Sequence, residues 1–369
     1  MTPEISRIRR IWRALARAAI VGAALAALAG CALPFYWQAI GGQLELLRKR
    51  TPIDELLVDP KIDPSVKSAL TSVAEIRKFA VTDLLLPDNK SYTTYVALDR
   101  PYVVWNVVAA EEFSVDPKRW CFPFAGCVSY RGFFDRADAE HFQRQLTDEG
   151  YDTYGGGSSA YSTLGYFADP VLSTMIGGGE QYVASLLFHE LAHQKLYVKD
   201  DSEFSEAFAT AVEEYGTERW LAAHGNEAGL DLYRLRLRQR SDFAELVSAQ
   251  QERLRTVFAT VEPAEAKRVD KAHAFEAMRA DYTALKQSWG GNDDYDGWFD
   301  RPLNNATLAA IATYRRWVPV LRARIDALGL EVFYAEMAQL AKLKVAERAA
   351  RLEGLTTAST PPGTLPKLG

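Results

Sequence analysis

Two histidines and a glutamate lie within five consecutive residues in the middle of the chain. His189, Glu190 and His193 form the pattern HExxH within residues 181–198, which read QYVASLLFHELAHQKLYV. On an α-helix, residues four positions apart share a face, so both imidazoles can reach one metal ion. Glu190 is then close enough to take a proton from a metal-bound water and return it to a leaving amine. This chemistry predicts one bound Zn²⁺ and hydrolysis of a peptide bond.

The alternative interpretation of the motif is structural, with one histidine in the core or at a helix cap and the other on the surface. The chain has five histidines, and a match to so short a pattern can arise by chance. The surrounding apolar residues favour the metal site, because they place both histidines on an otherwise buried helix.

A third ligand is expected, and the next predicted helix, EFSEAFATAVEEYG, offers four carboxylates. Glu206 lies thirteen residues after His193, between small and aromatic neighbours, so its carboxylate is expected to face inward and bind the metal. Glu213 lies two turns further along the same face and is expected to orient a ligand histidine. Glu203 is the main rival to Glu206, although Glu203 and Glu214 are both expected to be solvated.

Three further residues are candidates for contact with a substrate. Tyr314 follows the segment that opens at Asn304; it could donate a hydrogen bond to an oxyanion, or it could be a core tyrosine. The loop AYSTLG places Tyr161 and Ser162 shortly before the HExxH helix. An extended peptide could pair with the backbone of this loop, and a purely structural turn is the alternative.

The first thirty residues have the composition of an export signal. Five arginines and one glutamate precede the apolar run AAIVGAALAALAG, which is too short to span a membrane comfortably. The sequence Leu-Ala-Gly-Cys ending at Cys31 resembles the bacterial lipobox, in which cleavage precedes a cysteine that receives lipid. We therefore expect a lipoprotein signal peptide over residues 1–30 and a membrane anchor at Cys31. An uncleaved anchor helix is the alternative, and both interpretations place the remainder outside the cytoplasm.

The charge of the chain bears on its partners. The net charge is −5 and the first thirty residues contribute +4, so the remainder carries −9. An acidic body argues against nucleic acid and against electrostatic adhesion to anionic lipid. The glycine-rich segments GGGSS and GGGE lack the lysine and the strand–turn–helix setting of a phosphate-binding loop, so no nucleotide is expected.

Cys121 and Cys127 remain after Cys31 is assigned to lipidation. They stand in WCFPFAGCV, around a proline and a glycine that could form a small loop. In an oxidising compartment the pair is expected to form a disulfide, and two reduced buried thiols are the alternative.

The order of predicted elements indicates an α+β protein. Residues 35–80 have helical periodicity, the region from Ser91 is rich in strand-forming residues, and Asp135 is expected to cap a helix that ends at Gly150. From Glu180 onward almost all of the chain has helical periodicity, including 304–350. We predict an α/β part over residues 31–198 that ends in the HExxH helix, a helical part over 199–352 that supplies the third ligand, and a disordered tail over 353–369.

The combination HELAH and SEAFATAVE resembles the gluzincin pattern, in which the helix after HExxH supplies the third zinc ligand. Only twelve residues separate His193 from Glu206, fewer than in alanyl-aminopeptidase-type and thermolysin-type enzymes. With the lipobox, WCFPFAGC, YRGFF, AYSTLGYFADPV and LNNATLAAIATY, the chain over about residues 31–345 is more similar to a bacterial family of lipoproteins designated aminopeptidases. The resemblance implies a zincin-like fold, with a small mixed sheet and the HExxH helix packed against a helical C-terminal part.

These observations together predict a zinc peptidase, an aminopeptidase by the resemblance, acting on peptides in the bacterial cell envelope. Ala32, rather than aspartate, follows Cys31, which by analogy with enterobacterial sorting favours the periplasmic face of the outer membrane. Two alternatives stay open: an endopeptidase or processing protease that uses the same metal site, and a non-catalytic lipoprotein binding module stabilised by zinc.

Overall fold

A computed structural model describes residues 35–122, 126–312 and 316–359. Helices predominate, and the strands are short. The helices are α1 (35–49), α2 (Ile53–Val58), α3 (Pro64–Thr82), α4 (Arg136–Asp148), α5 (Ser173–Ile176), α6 (Glu180–Lys195), α7 (Ser202–Ala223), α8 (Glu227–Phe258), α9 (Ala264–Ser288), α10 (Asp296–Phe299), α11 (Asn305–Ala312), α12 (Val318–Leu328), α13 (Leu330–Leu340) and α14 (Val345–Ser359). The strands are β1 (Thr51–Pro52), β2 (Thr94–Val96), β3 (Val104–Ala110), β4 (Trp120–Phe122), β5 (Gly126–Val128), β6 (Arg131–Phe133), β7 (Asp152–Ser158) and β8 (Val171–Leu172). The mixed α+β class is therefore confirmed.

The strands form separate small sheets rather than one. In the first sheet, with the order β1-β2-β8, β1 pairs antiparallel and β8 parallel to β2. In the second, β3 lies between β6 and β7 and pairs antiparallel to both. β7 is thus an edge strand of this sheet, and residues 159–170 connect it to β8.

β4 and β5 form a two-stranded ribbon in which Cys121 and Cys127 are directly opposite and joined by a disulfide bond. The backbone N–H of Cys127 donates to the Asp200 carboxylate (2.8 Å), which attaches this ribbon to the loop between α6 and α7.

Local sequence accounts for the beginnings of several helices. The Asp135 carboxylate accepts hydrogen bonds from the backbone N–H groups of Ala137 (2.7 Å) and Asp138 (3.2 Å), which confirms the predicted cap of α4. Asp63 caps α3 in the same way, ahead of a proline at the first helical position.

The main hydrophobic core crosses the predicted boundary between residues 198 and 199. It includes Leu70 and Ile76 of α3, Phe188 of α6, Phe208 of α7 and Phe333 of α13, all fully buried. The α/β part and the helical part therefore share one core. Within the described residues, no helix combines the length and the apolar character that crossing a membrane requires.

The predicted start of the tail at residue 353 is wrong, because α14 continues to Ser359. Leu352 is buried and Leu355 packs against the main core, so this end of the helix has apolar contacts that stabilise it. The remainder of the tail and the predicted signal segment, with Cys31, lie outside the described residues.

Candidate metal centre

The two helices that carry the motif residues lie directly against each other. α6 buries Ala184, Leu187 and Leu191 in the main core, which leaves His189 and Glu190 on its partly exposed side. α7 approaches closely at Gly216, where a Cβ atom would lie only 2.9 Å from the Phe188 ring. Small residues at such crossings shorten the distance between helices, so side chains from both can converge on one point.

His189, His193 and Glu206 meet at this point. The two Nε2 atoms are 3.1 Å apart, and Glu206 Oε2 lies 3.3 Å from His189 Nε2 and 3.6 Å from His193 Nε2. The three side chains are the one group of metal-type ligands found among the described residues. Glu203, the rival third ligand, is not in this cluster; it borders a separate cavity of about 740 Å³.

The spacing of these atoms fits a zinc ion. Tetrahedral zinc with bonds of about 2.0–2.1 Å to nitrogen and oxygen holds its ligand atoms roughly 3.4 Å apart. The three observed separations, 3.1–3.6 Å, bracket that value. Three protein ligands of this kind also leave one coordination position open, which is the arrangement of catalytic rather than structural zinc sites.

Glu213 fixes the orientation of His189. Its Oε2 lies 3.1 Å from His189 Nδ1, and its side chain is only 12% exposed. Because an ionised carboxylate can only accept, Nδ1 carries a proton and donates it to Glu213, which leaves Nε2 as the nitrogen directed at Glu206 and His193. The other oxygen of Glu213 lies 3.7 Å from the Arg240 guanidinium, which holds the carboxylate in turn.

The charges of the cluster stabilise one another. Burial lowers the pKa of His189, but hydrogen bonds and charge interactions with Glu206 and Glu213 outweigh burial and hold that pKa well above its usual range. Burial raises the pKa of Glu206. The positive charges of His193 and His189, together with their hydrogen bonds to the carboxylate, outweigh burial and hold this pKa well below its usual range. Glu206 therefore stays ionised and available to a cation.

A cavity of about 450 Å³ opens beside the cluster and contains the expected base. Glu190 and His189 line it, together with Tyr182 and Ser185 from earlier turns of α6. Residues of α8 and the end of β7 form the other walls of the cavity. The cavity therefore runs along two turns of α6 and reaches Glu190.

The predicted substrate-binding residues Tyr161 and Ser162 do not line this cavity, and the three preceding residues, 158–160, do. Tyr161 packs against the main core and the Phe134 ring, and Ser162 donates to the buried Asp169 carboxylate (3.4 Å). Residues 158–160 therefore border the cavity, whereas the side chains of Tyr161 and Ser162 have their contacts in the interior of the fold. Tyr314 lies outside the described residues.

Sequence reasoning missed the wall that α8 provides. Tyr233, Arg236 and Arg240 lie at helical spacing on one face of α8 and line the cavity. They belong to the segment YRLRLRQR, whose alternating arginines were a visible signal. Their proximity to His189 depends on how α8 packs across α7, which no local pattern encodes.

Comparison with known proteins identifies a family. A family model described as "Putative aminopeptidase" matches residues 34–352. No curated protein and no solved structure gives a significant match. The matched range includes α6, α7 and α8, and hence every residue of the cluster and its cavity; the chain therefore belongs to this aminopeptidase family.

Proposed function

We propose that this protein is a zinc-dependent peptidase of the gluzincin type with a zincin-like arrangement, and specifically an aminopeptidase. The convergence of His189, His193 and Glu206 within 3.1–3.6 Å carries this proposal, and Glu190 lies in the adjoining cavity. The family description supports aminopeptidase over endopeptidase.

The residues divide the chemistry between them. A zinc ion held by the three ligands would polarise the scissile carbonyl and lower the pKa of water at the open position. Glu190 would accept the proton of the attacking water and deliver it to the departing amine. Glu213 would keep His189 in the tautomer that binds the metal, and the wall at 158–160, which follows an edge strand, would hold an extended peptide by backbone hydrogen bonds.

We further propose that the protein is a lipoprotein of the bacterial cell envelope, tethered through Cys31 at the periplasmic face of the outer membrane. The basic and then apolar first thirty residues and the lipobox support this location. Mass analysis of the protein recovered from membranes would show the lipid on a new N-terminal cysteine. A soluble product that retains residues 1–30 would refute it.

The enzymatic proposal is tested with the purified protein and a Glu190→Gln variant. Metal analysis should give one zinc ion per chain in both, because Glu190 is not a ligand. The wild type should release amino acids from peptides with a free N-terminus and lose this activity to a chelator. Loss of the general base should lower kcat by about 10²–10⁴-fold.

Each result has a distinct meaning. Cleavage of N-blocked peptides alone would support the proposal of a zinc peptidase but would refute its assignment as an aminopeptidase. Equal activity of wild type and Glu190→Gln would overturn the proposed chemistry altogether.

A further inference from the structure

The end of the cavity on α8 is positively charged. Tyr233, Arg236 and Arg240 are spaced by three and four residues, so their side chains leave one face of the helix. The two arginines are one turn apart, where like charges repel. Both line the cavity that also holds His189 and Glu190.

The arginines of α8 differ from one another in whether an acidic side chain compensates their charge. Arg234 pairs with Glu218 at 3.6 Å, outside the cavity. Arg240 shares Glu213 with His189, at 3.7 Å. Arg236 forms no ion pair within the described part of the chain, and it is exposed toward the cavity. The cavity therefore contains a guanidinium available to an anion.

Arg240 is within a short peptide's reach of His189, and Arg236 lies one helical turn from Arg240 in the same cavity. The contacts Arg240–Glu213 (3.7 Å) and Glu213–His189 (3.1 Å), with the widths of the carboxylate and the imidazole, bound the distance from Arg240 to His189 Nε2 at roughly 11 Å. About 3 Å of this belongs to the ionic contact itself. The remaining distance corresponds to at most about two residues of extended chain.

We propose that Arg236, assisted by Arg240, binds a carboxylate of the substrate about two residues beyond the scissile bond. This inference rests on the proposed peptidase function and names its substrate class: short peptides that carry an anion at that position. A planar guanidinium binds a carboxylate through two parallel hydrogen bonds, which suits this role. The anion can be the C-terminal carboxylate or an acidic side chain.

The direction of the chain favours the departing half of the substrate. Glu190 must reach the nitrogen of the broken bond, so the fragment that carries this nitrogen occupies the cavity that Glu190 lines. This fragment is the one that ends in the C-terminal carboxylate. For an aminopeptidase acting on a tripeptide, the leaving dipeptide would bring its carboxylate to the two arginines.

The test compares three peptides on the zinc-loaded protein: trialanine, trialanine amide and alanyl-alanyl-aspartate amide. We expect kcat/KM for trialanine to exceed that for its amide about tenfold, as for a charge-assisted contact. Arg236→Gln should reduce this ratio to about one, because it removes the contact that only the free carboxylate makes. Arg238→Gln is the matched control, because Arg238 is exposed on the same helix but does not line the cavity; it should keep the ratio. The aspartate peptide identifies the source of the bound carboxylate. A kcat/KM about tenfold above that of trialanine amide would show that an acidic side chain can replace the C-terminal carboxylate.

Binding of the same peptides to Glu190→Gln, measured by calorimetry, separates this inference from the peptidase proposal. Tighter binding of trialanine than of its amide, lost on Arg236→Gln, would support the carboxylate site even if no peptide is cleaved. Cleavage or binding that is equal for acid and amide would overturn the inference, as would an Arg236→Gln variant weakened equally toward both. Absence of both cleavage and differential binding would also overturn it.

Discussion

The hydrogen bond between Glu213 and His189 permits a graded prediction. In Glu213→Ala the imidazole loses both its acceptor and the charge that fixes its tautomer. A bond to a charged group contributes about 1.5–3 kcal/mol, against about 0.5–1.5 kcal/mol for a neutral one. The contact is 3.1 Å long and Glu213 is only 12% exposed, so little of this is lost to solvent screening. We therefore expect Glu213→Ala to weaken zinc binding about 10–100-fold, as for other residues that orient metal ligands. Glu213→Gln keeps a hydrogen-bond acceptor for His189, so its zinc affinity should fall by only about 5–10-fold.

Competition with a fluorescent chelator at constant pH would measure these affinities. Glu218→Gln is the control, because Glu218 lies on the same helix, is similarly buried (18% exposed) and pairs with Arg322 at 2.6 Å, away from the metal ligands. This control should lower stability but leave zinc affinity unchanged. If Glu213→Ala bound zinc within twofold of the wild type, or if Glu218→Gln weakened zinc binding to the same extent as Glu213→Ala, the orienting role assigned to Glu213 would be refuted.

Two further predictions concern carboxylates. Glu206→Gln should reduce zinc affinity more than Glu213→Ala does, whereas Glu203→Gln should leave it unchanged in the same chelator assay; the opposite order would make Glu203 the third ligand. Burial raises the pKa of Asp169 to about 6 despite its hydrogen bonds from Thr163 and Ser162. The folded state then binds more protons than the unfolded state between about pH 4 and 6, so the free energy of unfolding from this group falls as pH rises, by about 3 kcal/mol at most. Urea unfolding of Asp169→Asn across this range should lack that decrease, and parallel pH profiles for wild type and variant would contradict the assignment.

The cluster of His189, His193 and Glu206 could be predicted from the sequence, because it depends on local geometry. The HExxH spacing needs only helical geometry, and α6 is helical throughout the motif. Glu206 follows after a short connection, so the next helix must return along the first. The inward position of Glu206 was then inferred from its small and aromatic neighbours, two of which, Ala207 and Phe208, are fully buried.

The late helices show a different outcome. A nearly continuous helix over residues 304–350 was predicted, but the described part of this region contains α11, α12, α13 and the start of α14. Pro319 lies at the beginning of α12, and Gly329 adopts φ 73° between α12 and α13. Both are ordinary signals for helix boundaries, and they divide a region that apolar periodicity alone would assign to one helix.

The walls of the cavity could not be inferred in this way. Which residues after β7 border the cavity depends on where the chain turns into the core, where Thr163 and Ser162 donate hydrogen bonds to the buried Asp169. The arginines of α8 are about fifty residues from the HExxH motif and reach it only through the packing of three helices. Such positions are determined by tertiary contacts, and the periodicity of the sequence contains no information about these contacts.

The position of Glu206 itself depends on the far end of the chain. Asp201 caps α7 by accepting from the backbone N–H of Phe204 (3.1 Å), and its other oxygen pairs with Arg348 of α14 at 2.8 Å. Arg348 is 1% exposed and also donates to three backbone carbonyls in 340–343. Removing one partner of such a buried pair costs about 3–5 kcal/mol, so the first turn of α7 is firmly held. Glu206 lies little more than one turn after Asp201. The position of Glu206 thus depends on a contact across 147 residues, and residues of α6, α7 and the C-terminal helices belong to one core. The proposed metal site would therefore need both parts of the chain.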